Sequence, residues 1–374
     1  MKIGLVCPYN VAKGGGVKEI LLDLRAGLIE RGHDVTILAP RPRDLEDVDT
    51  TGMILLGNGT DFKSPTHTTS HFSVSVDSDA IDQILEQEQF DVLHFHEPWV
   101  PVLSRQILSR SNAVNIATFH GALPETLMSQ TIIKVVTPYS QSILKYIDEF
   151  TAVSPAAAQY ISSLTDEPIK LIPNGIDLTR YTWADRPEPS DAPMILYVGR
   201  LEKRKGVNFL LQAFRILQAS MPGARLVIAG DGPDREKLEL LAEDLQLQHV
   251  DFKGFVSEAE KLELLATCDL FCSPAIYGES FGLVLLEAMA SGAVTVAGNN
   301  AGYAEVMSGL GQVSIVNPQD PEEFARKLRL LLTEPALRKL WLSWAKKHVK
   351  QFAYPRIIDM YEQSYKDALA KHAA

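Results

Sequence analysis

The stretch MILYVGRLEKRKGVNFLLQAFRILQASMPGARLVIA, residues 194–229, decides the fold. Met194–Val198 and Arg225–Ala229 are short apolar runs of strand length, and Val207–Ser220 between them reads as an amphipathic helix. Strand, helix, strand in that order implies a parallel sheet covered by helices. The alternation continues towards the C-terminus. Helices are predicted at Asp234–Leu245, Glu258–Thr267 and Gly282–Ser291, and strands at Val250–Phe252, Leu270–Cys272 and Ala293–Ala297. Towards the N-terminus an earlier set does the same, with strand Lys2–Cys7, helix Val17–Arg31 and strand Asp34–Ala39. It goes on through strands Asp91–His94 and Ala113–Phe119, a helical stretch near Pro101–Ser111, and strand Ile169–Ile172. That last strand is kept short by Pro168 before it and the turn Pro173-Asn174-Gly175 after it.

Between the two sets, Trp183 to Pro193 is polar with three prolines, the composition of a linker. The expected fold class is therefore α/β, with two Rossmann-like, doubly wound domains over 1–185 and 193–350. The tail from Pro335 is helical with a break at Tyr354-Pro355, since proline is easy at a helix start and costly inside one. A final helix within 355–374, about Arg356–Lys371, is expected to pack back on the first domain.

Bulk properties narrow the function classes. A chain of 374 residues suits two domains, and 46% hydrophobic with 22% charged residues is normal for a globular protein. A formal charge of −11 argues against nucleic acid as a partner, because phosphate contacts need clustered Lys and Arg. Cys7, Cys268 and Cys272 show no framework spacing and read as buried, reduced thiols. The apolar run Ile3–Val6 is too brief for a leader or a membrane span, so the expected site of action is the cytoplasm, with the inner face of the plasma membrane as one location there.

Three features carry chemistry. Gly14-Gly15-Gly16-Val17 follows the first strand and opens a helix, where glycines let backbone approach a phosphate and the helix N-terminus favours an anion. It is not GxGxxG, and a plain tight turn reads equally well. Gly199 to Gly206, GRLEKRKG, sits at the carboxyl end of a parallel strand, where α/β sheets bind ligands. Arg200 and Lys205 there have the charge to neutralise a pyrophosphate, against the alternative of a solvated turn. Glu279 to Glu287, ESFGLVLLE, puts Glu279 in a loop and Glu287 in the second turn of the helix that Gly282 begins. Carboxylates there suit sugar hydroxyls, the free amides of the first turn suit phosphate, and Glu287 on an apolar segment needs a polar partner such as a ribose.

With Glu279 and Glu287 spaced as E-x7-E, the chain resembles the retaining glycosyltransferases of family 4, which have the GT-B fold: two Rossmann-like domains facing a central cleft. Within them it is similar to phosphatidylinositol mannosyltransferases of the PimA type. The likeness runs over nearly the whole chain, through Ile3 to Tyr9, Gly15-Gly16-Val17, His94 to Pro98, Ala117 to His120, Pro173 to Asp177, and Gly282 to Met289. It implies a hexosyl transfer, to mannose acceptors of the phosphatidylinositol kind, from a nucleotide-sugar substrate, with GDP-mannose favoured. It places Gly15 and Gly16 by the donor pyrophosphate, with Arg200 and Lys205 on its other side. It also puts Glu287 on the ribose, Glu279, Ser280, Phe281, Gly282 and Leu283 around the donor sugar, and His120 with Glu279 at the reacting centre. Tyr9, Lys18 and Trp99 fall on the acceptor side. No tightly bound cofactor is implied, and Mg2+ is not indicated. The family expectation is a front-face mechanism in which the leaving phosphate takes the acceptor proton.

Other readings of particular segments stay open. Asp47-Val48-Asp49 and Asp77-Ser78-Asp79 resemble the metal-binding pairs of the other glycosyltransferase fold, yet fall in polar connections and read as loops. His94-Phe95-His96 puts two histidines on one strand face without a third ligand, which favours structural or substrate-contact roles. A peripheral membrane contact is expected from the resemblance, although Asp79–Glu88 has four acids and no base where a basic helix is expected. Leu127–Tyr146 is a second membrane candidate, with a core-facing helix as its plainer reading. Three functions stand side by side: a lipid mannosyltransferase, a family 4 enzyme with a UDP-sugar and a soluble acceptor, and a non-catalytic nucleotide-sugar-binding module.

Overall fold

The computed structural model describes residues 1–9, 16–42, 49–57, 59–63, 69–73, 77–100, 102–121, 137–183, 188–189 and 192–373, with backbone alone over 59–63 and 69–73. The chain forms two compact units, Met1–Gly175 with Tyr354–Ala374, and Ile176–Ala353.

In the first unit β1 (Lys2–Val6), β2 (Asp34–Pro40), β3 (Met53–Leu56), β6 (Val92–His96), β7 (Val114–Phe119), β8 (Glu149–Ala152) and β9 (Ile169–Leu171) make one parallel sheet. Their order is β3-β2-β1-β6-β7-β8-β9. β4 (Gly59–Lys63) and β5 (Thr69–Ser73) form a separate antiparallel pair. The central strands are buried along their whole length, as apolar runs covered on both faces must be. Strand order reverses between β1 and β6, so their carboxyl ends bound the crevice where such sheets take ligands. The helices are α1 (Gly16–Glu30), α2 (Ser78–Glu88), α3 (Leu103–Leu108), α4 (residues 137–144), α5 (Pro155–Ser162) and the last helix, α12 (Tyr354–His372).

α1 buries Ile20, Leu21, Leu24, Gly27 and Leu28, and α12 buries Ile357, Ile358, Tyr361, Tyr365 and Ala368. Both stripes follow the helical period and join one core with β1, β2, β6 and β7. α12 starts at Tyr354, slightly before the sequence reading, and Pro355 sits in its first turn, where its missing N–H has no partner to lose. A 3-10 turn at Val349–Phe352 supplies the break.

The second unit repeats the plan. β10 (Met194–Val198), β11 (Arg225–Ala229), β12 (Val250–Gly254), β13 (Leu270–Ser273), β14 (Val294–Gly298) and β15 (Ile315–Val316) form a parallel sheet in the order β12-β11-β10-β13-β14-β15. Here the order reverses between β10 and β13. Its helices are α6 (Val207–Ser220), α7 (Arg235–Asp244), α8 (Glu258–Thr267), α9 (Leu283–Ala290), α10 (Pro321–Thr333) and α11 (Pro335–His348).

The division of the chain differs from the one read from composition. Ile176 bridges to Ala353 and donates its N–H to the Phe352 carbonyl at 2.8 Å, so the segment ahead of the polar linker sides with the second unit. The helical stretch near Pro101–Ser111 is confined to α3, and Pro101 lies outside the described residues. Asp79–Glu88, read only as an acidic stretch, is α2, with Asp77 as its N-cap accepting from the Asp79 N–H.

Candidate active site

In the second unit the switch point between β10 and β13 collects the charged residues. β10 runs into Gly199-Arg200, and the buried Tyr197 hydroxyl donates to the Arg200 carbonyl at 2.8 Å, fixing that turn. A 3-10 turn follows at Lys203–Lys205. β13 runs into the loop that bears Glu279. Arg204 ties the two loops together, donating to the Gly278 carbonyl at 3.1 Å and to Glu279 Oε1 at 2.6 Å. Lys205 Nζ donates to the same Oε1 at 2.6 Å, and both Lys205 and Glu279 are largely buried. Glu202 closes the group, pairing with Arg200 Nε and Arg204 Nε at 3.0 Å each. Three cations therefore meet two carboxylates, a local positive excess in a chain of net negative charge.

Packing explains why the Glu279 loop lies where it does. Gly282 caps α9 at a φ of +97°, and a Cβ there would stand 2.7 Å from the Tyr303 ring. Tyr303 is fully buried, with its hydroxyl bonded to Ser273 Oγ at 2.8 Å. Gly302 runs directly beneath the loop, held by Asn300 Oδ1 at 2.9 Å, so close that a side chain would overlap the Glu279 carbonyl. The Phe281 ring is buried against Phe352 at 5.7 Å between centroids. Ser280 and Leu283 are half-buried beside it.

Glu287 belongs to a separate group. It accepts from Lys261 Nζ at 3.0 Å, and Tyr181, from the segment ahead of the linker, lies against it. Burial raises its pKa above the ordinary carboxylate range, opposed by Lys261 and by Tyr181.

The first unit gathers a second set at its own switch point. His120 follows β7, is buried, and shares a hydrogen bond of 2.8 Å between its Nε2 and His96 Nδ1. Burial depresses the pKa of His120 to about 4, an effect that Asn174 partly offsets, and depresses that of His96 well below its ordinary value. Both rings are neutral at physiological pH. His94, by contrast, is wholly structural: its two nitrogens bond Tyr365 at 2.8 Å and Thr118 at 2.6 Å. Trp99 packs on Phe119 and Tyr160, and Tyr9 is half-buried at the end of β1. Lys18 is half-buried in the first turn of α1, and Gly16 begins that helix; Gly15 lies outside the described residues, as do 127–136 of the Leu127–Tyr146 segment. Among the described residues no group of three or more His, Cys, Asp or Glu is placed to hold a metal, and no helix is long and apolar enough to cross a membrane.

Residues 14–180 match the family model for Glycosyltransferase Family 4, and residues 183–348 match that for Glycosyl transferases group 1. Over 94% of its length the chain is 32% identical to phosphatidyl-myo-inositol mannosyltransferase of Mycolicibacterium smegmatis, covering 90% of that protein. The chain is a family 4 glycosyltransferase. The enzyme of that name from Mycobacterium tuberculosis is 31% identical over 94% of this chain and 93% of its own length. Among solved structures, sucrose-phosphate synthase from Thermosynechococcus elongatus superposes with a TM-score of 0.77 at 20% identity, over 99% of each chain. The two parallel sheets are thus those of the GT-B fold, and the glycosyltransferase is a retaining hexosyltransferase that uses a nucleotide-sugar donor.

The sequence reading assigns no role to Glu202, Arg204 and Gly302. Arg204 and Glu202 lie inside the quoted basic run. Gly302 had no local signal, because its role comes from a loop more than twenty residues away.

Proposed function

We propose that this glycosyltransferase moves a mannosyl group from GDP-mannose to a hydroxyl of a phosphatidylinositol-like lipid, acting from the cytoplasm at the inner face of the plasma membrane. The observation that carries the donor side is the convergence of Lys205 and Arg204 on Glu279 Oε1. A donor pyrophosphate is a stronger partner for Lys205 than a single carboxylate, since it offers more charge and more acceptor oxygens. When it binds, Lys205 and Arg200 turn to the phosphates, and Glu279 is released towards the sugar hydroxyls. Glu287 then takes the ribose, with Lys261 keeping it ionised.

As the bond to the sugar breaks, negative charge grows on the leaving nucleoside diphosphate where Arg200 and Lys205 stand. Glu279 keeps its bond from Arg204 after Lys205 has turned away, which suits a binding carboxylate and lowers its worth as a nucleophile. This favours the front-face course, in which a leaving phosphate oxygen takes the acceptor proton. The identity to phosphatidyl-myo-inositol mannosyltransferases along nearly the whole chain supports the mannosyl group and the lipid acceptor.

A thermal-shift panel tests the donor, since a ligand that binds only the folded state raises its melting point. GDP-mannose is expected to stabilise the chain more than UDP-glucose or ADP-glucose. Stabilisation by UDP-glucose without any by GDP-mannose would remove the mannosyl reading.

A second reading, a soluble acceptor, is favoured by one observation. α2 carries Asp79, Asp82, Glu86 and Glu88 and no base of its own. Its neutralisation comes from neighbours, Lys2 on Glu88 at 2.8 Å and Arg110 on Asp82 at 3.3 Å, rather than from anything a lipid headgroup would supply.

A further inference from the structure

Glu97 stands at the carboxyl end of β6, beside the strand-order switch of the first unit, and 2% of it is exposed. Its backbone is left-handed, with φ at +53°, an uncommon conformation for a residue with a side chain. Its N–H still continues the ladder to the Thr118 carbonyl at 2.9 Å. This twist turns the side chain across the end of β7. There a single oxygen, Oε1, accepts the consecutive backbone N–H groups of His120 and Gly121. The other oxygen, Oε2, lies beside the Trp99 indole without a well-formed hydrogen bond. A buried carboxylate is costly and is kept where its hydrogen bonds compensate, or where function demands it. Two adjacent amides aimed at one anionic oxygen form a nest that fixes the turn carrying them.

We infer that Glu97 is a positioning residue: its carboxylate pins the His120–Gly121 turn and thereby sets the His120 ring at the reacting centre. The inference rests on the proposed role of His120, and goes beyond it by naming what holds that ring in place. The other side of the His120 ring faces Asn174, and the His96 Nε2 beside it is buried without a well-formed hydrogen bond.

A pH signature follows. Burial pushes the Glu97 carboxyl up to about 7, against the pull of the two amides and of Trp99. The titratable groups facing it behave otherwise. At the end of β1, burial raises Cys7 to about 12 and raises Tyr9 well above its ordinary value, with the Glu97 charge adding to the latter. Burial lowers His120 on β7 to about 4 and His96 on β6 well below its ordinary value. Glu97 is therefore the group of this set that changes charge between pH 6 and 8.

Nitrogen-15 NMR of the full chain tests this directly. The His120 and Gly121 amide resonances are expected to titrate together with a midpoint near pH 7, and to lose that titration in Glu97→Gln. In parallel, Glu97→Gln should lower kcat at least tenfold while the KM for GDP-mannose changes less than twofold, with phosphatidylinositol vesicles as acceptor. The acid limb near pH 7 should vanish from its rate profile. Ionisation of a carboxyl whose folded pKa is raised costs stability as pH rises through that pKa. The melting point of Glu97→Gln relative to wild type should therefore be higher at pH 8 than at pH 6, which separates positioning from support of the fold. Amides that do not titrate together in the wild type overturn the inference, whether or not the variant folds. So does wild-type kcat in Glu97→Gln beside an inactive His120→Ala. Wild-type turnover in His120→Ala overturns instead the role of His120 on which the inference stands.

Discussion

Lys205 shows how much one side chain can carry. It is largely buried and bonded to Glu279 at 2.6 Å, so its charge is held in place before any donor arrives. Replacing it by alanine removes one charge-assisted contact to the pyrophosphate, worth about 1.5–3 kcal/mol. Lys205→Ala is therefore expected to lower kcat/KM for the donor by roughly 10- to 150-fold, with the melting point nearly unchanged. Steady-state kinetics beside a thermal melt checks this, and unchanged kinetics would take Lys205 out of the site. The basic run that holds Arg200 and Lys205 was legible in the sequence because such a run at the end of a strand is conspicuous in an acidic chain. Arg204 was not separable from them: which of these three cations braces the two loops depends on side-chain direction. Glu97 was still harder to read. A carboxylate beside two histidines suggests metal or acid–base chemistry, whereas its bonds go to backbone N–H groups of the turn that follows the neighbouring strand.

At the scale of elements, long amphipathic segments were read closely. α6 and α8 fall on the residues the periodicity predicts, because helices of ten or more residues present a full stripe to the core. Short strands were missed for a physical reason. β8 is Glu149-Phe150-Thr151-Ala152, entirely buried, and its first residue is a carboxylate bonded to Ser364 and paired with Lys170 at 2.8 Å. No pattern in four residues reveals that a distant helix and strand will satisfy that charge. The Glu279 loop depends likewise on a turn it touches only in space. Gly302→Ala must shift the Glu279 backbone, since the added methyl group meets a carbonyl rather than a movable side chain. The expected outcome is a folded protein, less stable by about 1–3 kcal/mol, whose melting point no longer rises with GDP-mannose. A Gly302→Ala chain with the wild-type donor shift would mean that the loop's position is not set from below.

On the scale of the whole molecule, one plan is used twice: a parallel sheet whose order reverses once, with the charged or polar cluster at the reversal. The twofold α/β pattern was plain in the sequence, because fully buried parallel strands read as apolar runs. The place of the division was not, since Ile176 joins the second unit through backbone bonding to Phe352, which composition does not register. The family likeness settles the reaction type, and the acidic α2 leaves the acceptor as the point on which the account stands or falls. The most direct test supplies radiolabelled GDP-mannose with phosphatidylinositol vesicles on one side and soluble inositol on the other, and follows the label and its anomeric configuration. Label is expected in the lipid, attached with the α configuration of the donor retained. Label in soluble inositol alone, or transfer from UDP-glucose and none from GDP-mannose, would contradict it.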